Sequence, residues 1–155
     1  MGINESFAND QIADLALREP VCCRPDDDIE SAIQRLRDRN LGCLIVVDHK
    51  HKPIGVVTES MITQKVAHDP ASISGPVQGL MADICPWVQL TDSVSLVLDA
   101  MQAQNTRFLC VVDDDGRTVG LTGQKGLMEF IADHYPQQVM VQRVGSLPPK
   151  NREGA

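Results

Sequence analysis

The chain is poor in aromatic residues, with one tryptophan, one tyrosine and three phenylalanines among its 155 residues. Single-stranded nucleic acids are held by stacking their bases on aromatic side chains, and nucleic acids in general attract a basic protein surface. This chain offers few stacking surfaces, and its formal net charge of −7 repels a phosphate backbone at long range. We therefore expect no nucleic-acid partner.

Long apolar runs and metal-binding cysteine patterns are missing as well. A helix needs about 20 consecutive apolar residues to cross a bilayer, and no stretch of this chain approaches that length. The five cysteines form an odd set without metal-ligand spacing. The opening residues, MGINESFANDQ, lack the basic and apolar regions of a signal peptide. We expect a soluble cytoplasmic protein with reduced thiols, no bound metal and no membrane contact.

The chain does contain a duplication with an offset of 65 residues. The segment CLIVVDHKHKPIGVVTESMI, which begins at Cys43, corresponds without a gap to FLCVVDDDGRTVGLTGQKGL, which begins at Phe108. Solenoid and propeller repeats have shorter periods of roughly 20 to 50 residues. The pattern therefore indicates a duplicated small domain whose two copies bury a core between them, and function should be sought in a cleft that they share.

Each copy has the pattern of a β-α-β-β-α unit preceded by a short helix. Apolar spacing predicts that opening helix over 8–18, with an equivalent that follows Pro76. Residues suited to helix caps precede predicted helices at 29–39 and 94–104. Short apolar runs rich in β-branched residues predict strands, each followed by a hairpin and a closing helix. These strands are 43–47, 54–58, 108–112 and 119–122, and the closing helices are 59–67 and 125–133.

The predicted fold class is therefore α+β, with two tandem units at 8–70 and 71–135. Residues 136–155 lose all periodicity and end in SLPPKNREGA, a composition typical of a disordered tail. No nucleophile triad, phosphate-binding loop, metal signature or paired-carboxylate motif is present in the sequence. We therefore do not expect an enzyme.

The segment NLGCLIVVDHKHKPIGVVTESMI, residues 40–62, resembles the cystathionine-β-synthase (CBS) domain, and RFLCVVDDDGRTVGLTG, residues 107–123, is similar. Residues 8–133 as a whole resemble a tandem pair of such domains, which is also called a Bateman module. The resemblance implies two units packed about a pseudo-twofold axis, with clefts that in the family often take adenosine nucleotides or S-adenosylmethionine. It implies a stand-alone regulatory module, with such a ligand rather than a fixed cofactor, that signals in trans to an effector protein.

The resemblance also implies where the ligand would bind. In the family pattern Gly-hydrophobic-x-Thr/Ser-x-x-Asp, the hydroxyl position corresponds to Thr58 in the first copy. In the second copy this chain has Gly123 at that position. The aspartate that holds the ribose is replaced by Met61 and Gly126. A carboxylate on two ribose hydroxyls makes charge-assisted hydrogen bonds of about 1.5–3 kcal/mol each. A weaker, different or absent ligand therefore remains open.

The candidate ligand-binding residues are Cys22, Cys23, Thr58, Glu59, Met61, Trp87, Arg107, Gly123 and Lys125. Thr58 and Glu59 open a helix, where N–H groups attract anions, and Thr58 can equally serve as the cap of that helix. Arg107 is either a ligand contact, since it occupies a position that is often basic in the family, or a solvated surface arginine. Cys22 and Cys23 enter the first strand as ligand contacts or as small buried hydrophobes.

The second copy carries the spacing Gly-x-x-Gly-x-x-Gly with Lys125 among the glycines, which is compatible with an anion pocket lined by backbone. The competing interpretation is that Gly123 ends a strand and that Gly126 lets the next helix pack closely. Trp87 would stack on an adenine in a second cleft or lie in the core. These alternatives stay open at the level of sequence.

Two other functions are compatible with the sequence. One is a dimerisation or partner-docking module without a small ligand, since CBS pairs commonly form disk-like homodimers through their second helices. The residues for such an interface are Met61, Ile62, Val66, Leu127, Met128 and Ile131, which should form buried stripes. The other is a thiol-based redox protein that uses Cys22 and Cys23, which requires a lowered thiol pKa.

Overall fold

The computed structural model describes residues 3–134, and the predicted tail at 136–155 lies outside them. The described part is an α+β fold, as predicted. The helices are α1 (Ile3–Asn9), α2 (Ile29–Arg39), α3 (Glu59–His68), α4 (Val94–Gln104) and α5 (Gln124–His134). The strands are β1 (Cys22–Cys23), β2 (Cys43–Val47), β3 (Pro53–Thr58), β4 (Trp87–Gln89), β5 (Phe108–Val112) and β6 (Thr118–Gly123).

Two three-stranded sheets repeat the same pairing. The first has the order β1-β2-β3 and the second has the order β4-β5-β6; the first pair in each is parallel and the second is antiparallel. Cys22 pairs with Ile45, and their counterparts Trp87 and Cys110 pair in the other sheet. A parallel pair needs a crossover connection, which α2 and α4 supply. The predicted β-α-β-β-α order is therefore confirmed for both copies.

The hairpin of each unit is organised by the aspartate that directly follows the central strand. The Oδ1 atom of Asp48 accepts hydrogen bonds from two N–H groups of its turn at 2.8 and 3.0 Å, and Asp113 accepts two at 2.9 Å. The turn residue has positive φ in both copies, 64° at His51 and 81° at Gly116. Glycine adopts this conformation readily, so Gly116 suits the turn of the second copy.

The predicted opening helices are wrong. Residues 12–14 form a single 3₁₀ turn between α1 and an extended Leu15, and residues 77–79 form another. The N–H of Ile12 donates to the Asp92 carbonyl at 2.9 Å, and the N–H of Val77 donates to the Asp27 carbonyl at 2.8 Å. Because these donors bond to the loop before the crossover helix of the other unit, they are not used to continue a helix of their own.

The two units exchange their opening segments. Phe7, Ile12 and Leu15 pack in the core of the second unit, while Val77 packs in the core of the first. A third apolar cluster joins the two sheets, with Ile45 among its members. Packing thus crosses the predicted boundary between 8–70 and 71–135, and both opening segments reach the region between the sheets.

Candidate functional site

A cleft of about 760 Å³ opens between the two units, at the end of each sheet opposite its hairpin. Both copies supply equivalent positions to its wall, from the start of the central strand and from the end of the third strand. The equivalent pairs are Gly42 and Arg107, Cys43 and Phe108, Val56 and Leu121, and Thr58 and Gly123. Volumes of about 300–1,000 Å³ are typical of small-ligand sites. A shared cleft of suitable size is therefore present.

The exchanged segments complete the wall of this cleft. Arg18 and Leu121 exchange backbone hydrogen bonds of 3.0 and 2.9 Å, which fix Arg18 beside the third strand of the other unit. Ile84 lines the same cleft and is 71% exposed, an unusual environment for so apolar a side chain. Sequence reasoning missed both residues, because no local signal shows that a segment pairs with the opposite unit.

The lining of the cleft is positively charged. It contains the cations Arg18, Arg107 and Lys125, and its described residues include no aspartate or glutamate. These cations make no ion pair with other residues of the described chain, in which Arg35 and Arg39 do. Since the whole chain has a net charge of −7, a cluster of three cations is a local exception. Such a surface attracts an anionic ligand.

Thr58 caps a helix and also lies in the wall of the cleft. It is the N-cap of α3, and its Oγ1 atom accepts a hydrogen bond from the N–H of Met61 at 3.2 Å. The side chain is half-buried and lies in the wall of the cleft. A hydroxyl that accepts one hydrogen bond can still donate its own hydrogen. The capping interpretation is therefore confirmed, and the geometry leaves a donor for a ligand.

In the second copy, backbone atoms leave no space for a side chain at Gly123, the position that corresponds to Thr58. A Cβ atom on Gly123 would lie 2.2 Å from the carbonyl oxygen of Arg107, so no side chain fits there. A Cβ atom on Gly126 would lie 2.9 Å from the Thr122 hydroxyl. Close packing therefore explains both glycines, as one sequence interpretation held. Both also line the cleft together with Lys125.

Thr122 is a cleft residue that sequence reasoning missed. Its side chain is 4% exposed, and within residues 3–134 its Oγ1 atom has no hydrogen-bond partner. Buried polar groups are nearly always hydrogen-bonded, so the hydroxyls of Thr122 and Ser72 are exceptions within the described residues. The available signal was a threonine within the otherwise apolar strand VGLTG.

The structure brings four of the nine candidate residues into the cleft: Thr58, Arg107, Gly123 and Lys125. Glu59 is exposed at the start of α3, and Met61 is half-buried in the same first turn; neither forms part of the wall. Cys22 belongs to the cluster between the sheets and Cys23 to the core of the first unit. The interpretation of these cysteines as small hydrophobes is therefore the one that their positions favour.

One interpretation placed Trp87 in the core, and this interpretation is wrong. Trp87 is 54% exposed on β4, and it is not part of the cleft wall either. Successive residues of a strand face opposite sides, and here Val88, at 2% exposure, faces the core. The register of β4 against β5 therefore turns the indole outward.

The surroundings of four cysteines, Cys22, Cys23, Cys43 and Cys85, raise the pKa of their thiols. Burial raises the pKa of Cys22, Cys23 and Cys43 to about 11. A hydrogen bond with Cys110, together with burial, also raises the pKa of Cys85. Because the thiolate is the reactive form, these environments oppose the redox chemistry considered for Cys22 and Cys23.

A second groove of about 840 Å³ runs between α4 and α5. Its wall includes Leu98, Leu127, Met128 and Ile131. Leu127 is buried and Ile131 is half-buried, but Met128 is 63% exposed, so its predicted burial is wrong for this chain alone. In the first unit Ile62 is buried, while Met61 and Val66 are half-buried.

Neither a membrane-spanning helix nor a metal site is present within residues 3–134. No described helix is long and apolar enough to span a membrane. No group of three histidine, cysteine, aspartate or glutamate side chains in that part of the chain is placed to hold a metal ion.

Comparison with known proteins identifies a family and several similar structures. The family model of the CBS domain matches the chain twice, over residues 12–68 and 77–133. An uncharacterised 17.7 kDa protein of Acidianus ambivalens is 23% identical over 128 residues, which are 83% of this chain and 77% of that protein. The chain spans less than two thirds of other curated relatives that it matches.

Two similar solved structures contain adenosine compounds. A CBS domain protein from Pyrobaculum aerophilum, complexed with AMP, superposes with a TM-score of 0.69 at 21% identity, covering 88% of this chain and 100% of that one. The CBS domain pair of protein MJ0100, in complex with 5′-methylthioadenosine and S-adenosyl-L-methionine, also gives 0.69 at 21% identity, covering 81% and 98%. At this identity the likeness establishes the fold.

Proposed function

Because the chain belongs to the CBS domain family, as a tandem pair, we propose that it is a regulatory module that binds an adenosine-type ligand in the cleft between its units. The observation that carries the proposal is a ligand-sized cleft lined by the same positions of both copies, with three cations in its wall. The AMP, methylthioadenosine and S-adenosylmethionine bound by similar folds support this class of ligand.

The regulatory mechanism follows from where the cleft lies. A ligand that touches both units stabilises the arrangement of the units in which it contacts both. The shift in the free-energy difference between two arrangements equals the difference between the ligand's binding free energies for them. The exchanged segments carry this change across the module, since Arg18 belongs to the first copy and pairs with Leu121 of the second. An effector protein that contacts the module would then read its state in trans, without catalysis by the module itself.

Thermal unfolding of the protein against AMP, ADP, ATP and S-adenosylmethionine tests this proposal. A ligand at 100 times its dissociation constant stabilises a fold by about 2.7 kcal/mol, which corresponds to a shift of roughly 5–10 °C for a chain of this size. Arg107→Gln should reduce the shift. Its control is Arg117→Gln, an exposed arginine beyond the opposite end of β5. The absence of a shift with every compound would refute an adenosine sensor.

We further propose that the groove between α4 and α5 is the contact surface of a homodimer. The observation in favour is that Met128 and Leu98, at 63% and 37% exposure, lie beside buried Leu127 in the wall of this groove. Large exposed apolar side chains next to one another typically mark an interface.

Sedimentation velocity tests this interface. Met128→Asp should give a monomer if the parent protein is a dimer, because the charge would be buried without a partner at the contact. Leu96→Asp is the matched control, since Leu96 is 39% exposed on α4 and lies outside the groove. A parent protein that already sediments as a monomer, or a Met128→Asp variant that stays dimeric, would exclude this surface.

A further inference from the structure

Four of the five cysteines lie in the apolar cluster that joins the two sheets. Cys43, Cys85 and Cys110 are buried members of this cluster, and Cys22 packs against it. Cys22 and Cys43 belong to the first unit, whereas Cys85 and Cys110 belong to the second. Cys23 lies apart from them, in the core of the first unit. The joint between the units is therefore the part of the described chain in which thiols are concentrated.

Within this cluster, Cys85 and Cys110 are direct neighbours. The N–H of Cys110 donates to the carbonyl of Pro86 at 3.0 Å, so the residue that follows Cys85 is bonded to β5 at Cys110. The side chains of Cys85 and Cys110 are also hydrogen-bonded to each other. In the first unit, Pro20 and Ile45 occupy the two equivalent positions. The duplicated fold therefore does not itself require thiols there.

The two thiols of this pair differ in their tendency to ionise. The hydrogen bond with Cys85 lowers the pKa of the Cys110 thiol, and the Thr118 hydroxyl acts in the same direction, while burial opposes both. Thr118 is 4% exposed, and its Oγ1 atom lies 3.6 Å from the Sγ atom of Cys110, so its hydroxyl can donate to a thiolate there. The pKa of Cys85 is raised by its hydrogen bond with Cys110 and by burial. Because the thiolate is the nucleophile, Cys110 is suited to react with an oxidant and Cys85 to react with the product.

The apolar cluster favours a disulfide over the other products of thiol oxidation. A sulfinate or a sulfonate is an anion, and an unpaired anion is costly to bury among apolar side chains such as Val112. A disulfide has neither a charge nor a hydrogen-bond donor. The cleft also comes close to the pair, because Pro86 follows Cys85 and Leu121 is the sheet partner of Cys110, and both line the cleft.

We propose that Cys85 and Cys110 are an oxidative modification site, in which a peroxide that enters the cleft converts the two thiols to a disulfide. The Cys110 thiolate attacks one oxygen of hydrogen peroxide and the O–O bond breaks. The released hydroxide takes up the proton that the thiol lost, which gives a sulfenic acid and water. The Cys85 sulfur then attacks the Cys110 sulfur, the S–O bond breaks, and the oxygen leaves as water with the Cys85 proton. The two thiols together lose two electrons, and the peroxide is reduced to two molecules of water.

The disulfide would act on the segment that crosses between the units. Ala82 exchanges backbone hydrogen bonds of 3.0 and 3.1 Å with Val56 of the first unit, and Ile84 of the same segment lines the cleft. A bond between Cys85 and Cys110 fixes this segment to β5, so oxidation restricts the movement of one unit relative to the other. This consequence for the cleft rests on the proposed function, whereas the disulfide itself does not.

Peptide mapping of the full chain after treatment with hydrogen peroxide tests the pair. Trypsin cuts after lysine and arginine, so Cys85 falls in peptide 66–107 and Cys110 in peptide 108–117, and neither peptide holds another cysteine. We expect these two peptides to be linked, and to separate after treatment with dithiothreitol. A link from Cys110 to Cys43 or Cys22 instead would overturn the inference. Recovery of Cys85 and Cys110 as free thiols, after an exposure that oxidises the urea-unfolded chain, would also overturn it.

Two variants assign the roles of the two thiols. Cys85→Ala removes the second nucleophile, so the sulfenic acid at Cys110 should persist and be labelled by dimedone. Cys23→Ala is the matched control, because Cys23 is also buried but lies in the core of the first unit, and the linked peptide should form as in the parent protein. Loss of the link in Cys23→Ala, or no dimedone label in Cys85→Ala, would contradict these roles.

The effect of AMP on the rate of linking tests the route through the cleft. At 100 times its dissociation constant, AMP leaves about 1% of the clefts free, so the link should form at least about tenfold more slowly. An unchanged rate with AMP that does stabilise the fold would overturn this route. A linked peptide without stabilisation by any adenosine compound would support the disulfide and overturn the sensor. Stabilisation by AMP without a linked peptide would overturn the disulfide and leave the sensor intact.

Discussion

Replacing Gly123 with alanine should destabilise the fold because the new methyl group has no space. Its Cβ atom would lie 2.2 Å from the carbonyl oxygen of Arg107 and 3.0 Å from the Cα atom of Phe108. All of the close atoms are backbone atoms of Arg107 and Phe108, where β5 begins, and they cannot rotate away as a side chain does, so the two strands must separate. Overpacking of this kind costs about 1–3 kcal/mol, and we expect a value in the upper half of that range.

The matched variant is Gly42→Ala, because a Cβ atom at Gly42 meets nothing within 4 Å. Its expected effect is less than about 1 kcal/mol in either direction, since loss of glycine flexibility in the unfolded state is the main contribution. Urea unfolding followed by circular dichroism measures both variants, and Gly123→Ala should also lower the melting temperature by roughly 4–12 °C. Equal stability of the two variants would refute the reasoning that strand packing excludes a side chain at Gly123.

The remaining predictions concern helix caps, pH and thiols. Asp28→Ala should lose about 1 kcal/mol in urea unfolding, because the Asp28 carboxylate accepts the N–H of Ser31, whereas Ser93→Ala at the equivalent cap, which has no such bond, should change little. The turn N–H groups, first that of Lys52, lower the pKa of Asp48 below its usual 3.8. The urea midpoint of unfolding should therefore fall as the pH drops from about 4 through that lowered pKa, and it should fall less in Asp48→Asn. A thiol reagent at pH 7.5 should modify Cys23, whose pKa burial raises to about 11, far more slowly in the folded than in the urea-unfolded protein. Equal rates in the two states would contradict its burial.

The order of elements was predictable because it depends on local patterns that occur twice. The runs at 43–47 and 108–112 are too short and too apolar for surface helices, and both are strands with the predicted bounds. Helices 29–39 and 94–104 also have the predicted bounds. Each ends at an asparagine in the left-handed conformation, Asn40 with φ of 51° and Asn105 with φ of 48°.

The opening segments were not predictable because their partners lie in the other copy. Ile12 and Leu15 have helical spacing, but one 3₁₀ turn is enough to bury both against the second unit. The isolated β-bridges between the two units also depart from the constant offset of the duplication. Arg18 pairs with Leu121, whereas Val56 pairs with Ala82, one residue before the counterpart that the alignment gives. Such a shift leaves no trace in a gapless alignment.

The cleft was only partly predictable for a related reason. Thr58 and Arg107 could be found because they occupy positions that a family pattern marks, and both lie in the cleft wall. Arg18 carries no sequence pattern, and Thr122 carries only the weak signal of a threonine within the strand VGLTG. The position of Thr122 in the cleft wall depends on the absence of a side chain at Gly126, and that of Arg18 depends on pairing across the units. Both facts require tertiary structure.

Hydrogen exchange of the described segments, measured by mass spectrometry with and without saturating ATP, tests the central claim most directly. If an adenosine-type ligand lies in the shared cleft, backbone amides should become protected in both copies, around Gly42 and Thr58 in the first and around Arg107 and Gly126 in the second. The hairpin turns at the far end of each sheet should exchange as before. Protection confined to one unit, or protection of the hairpins with an unchanged cleft, would contradict the account.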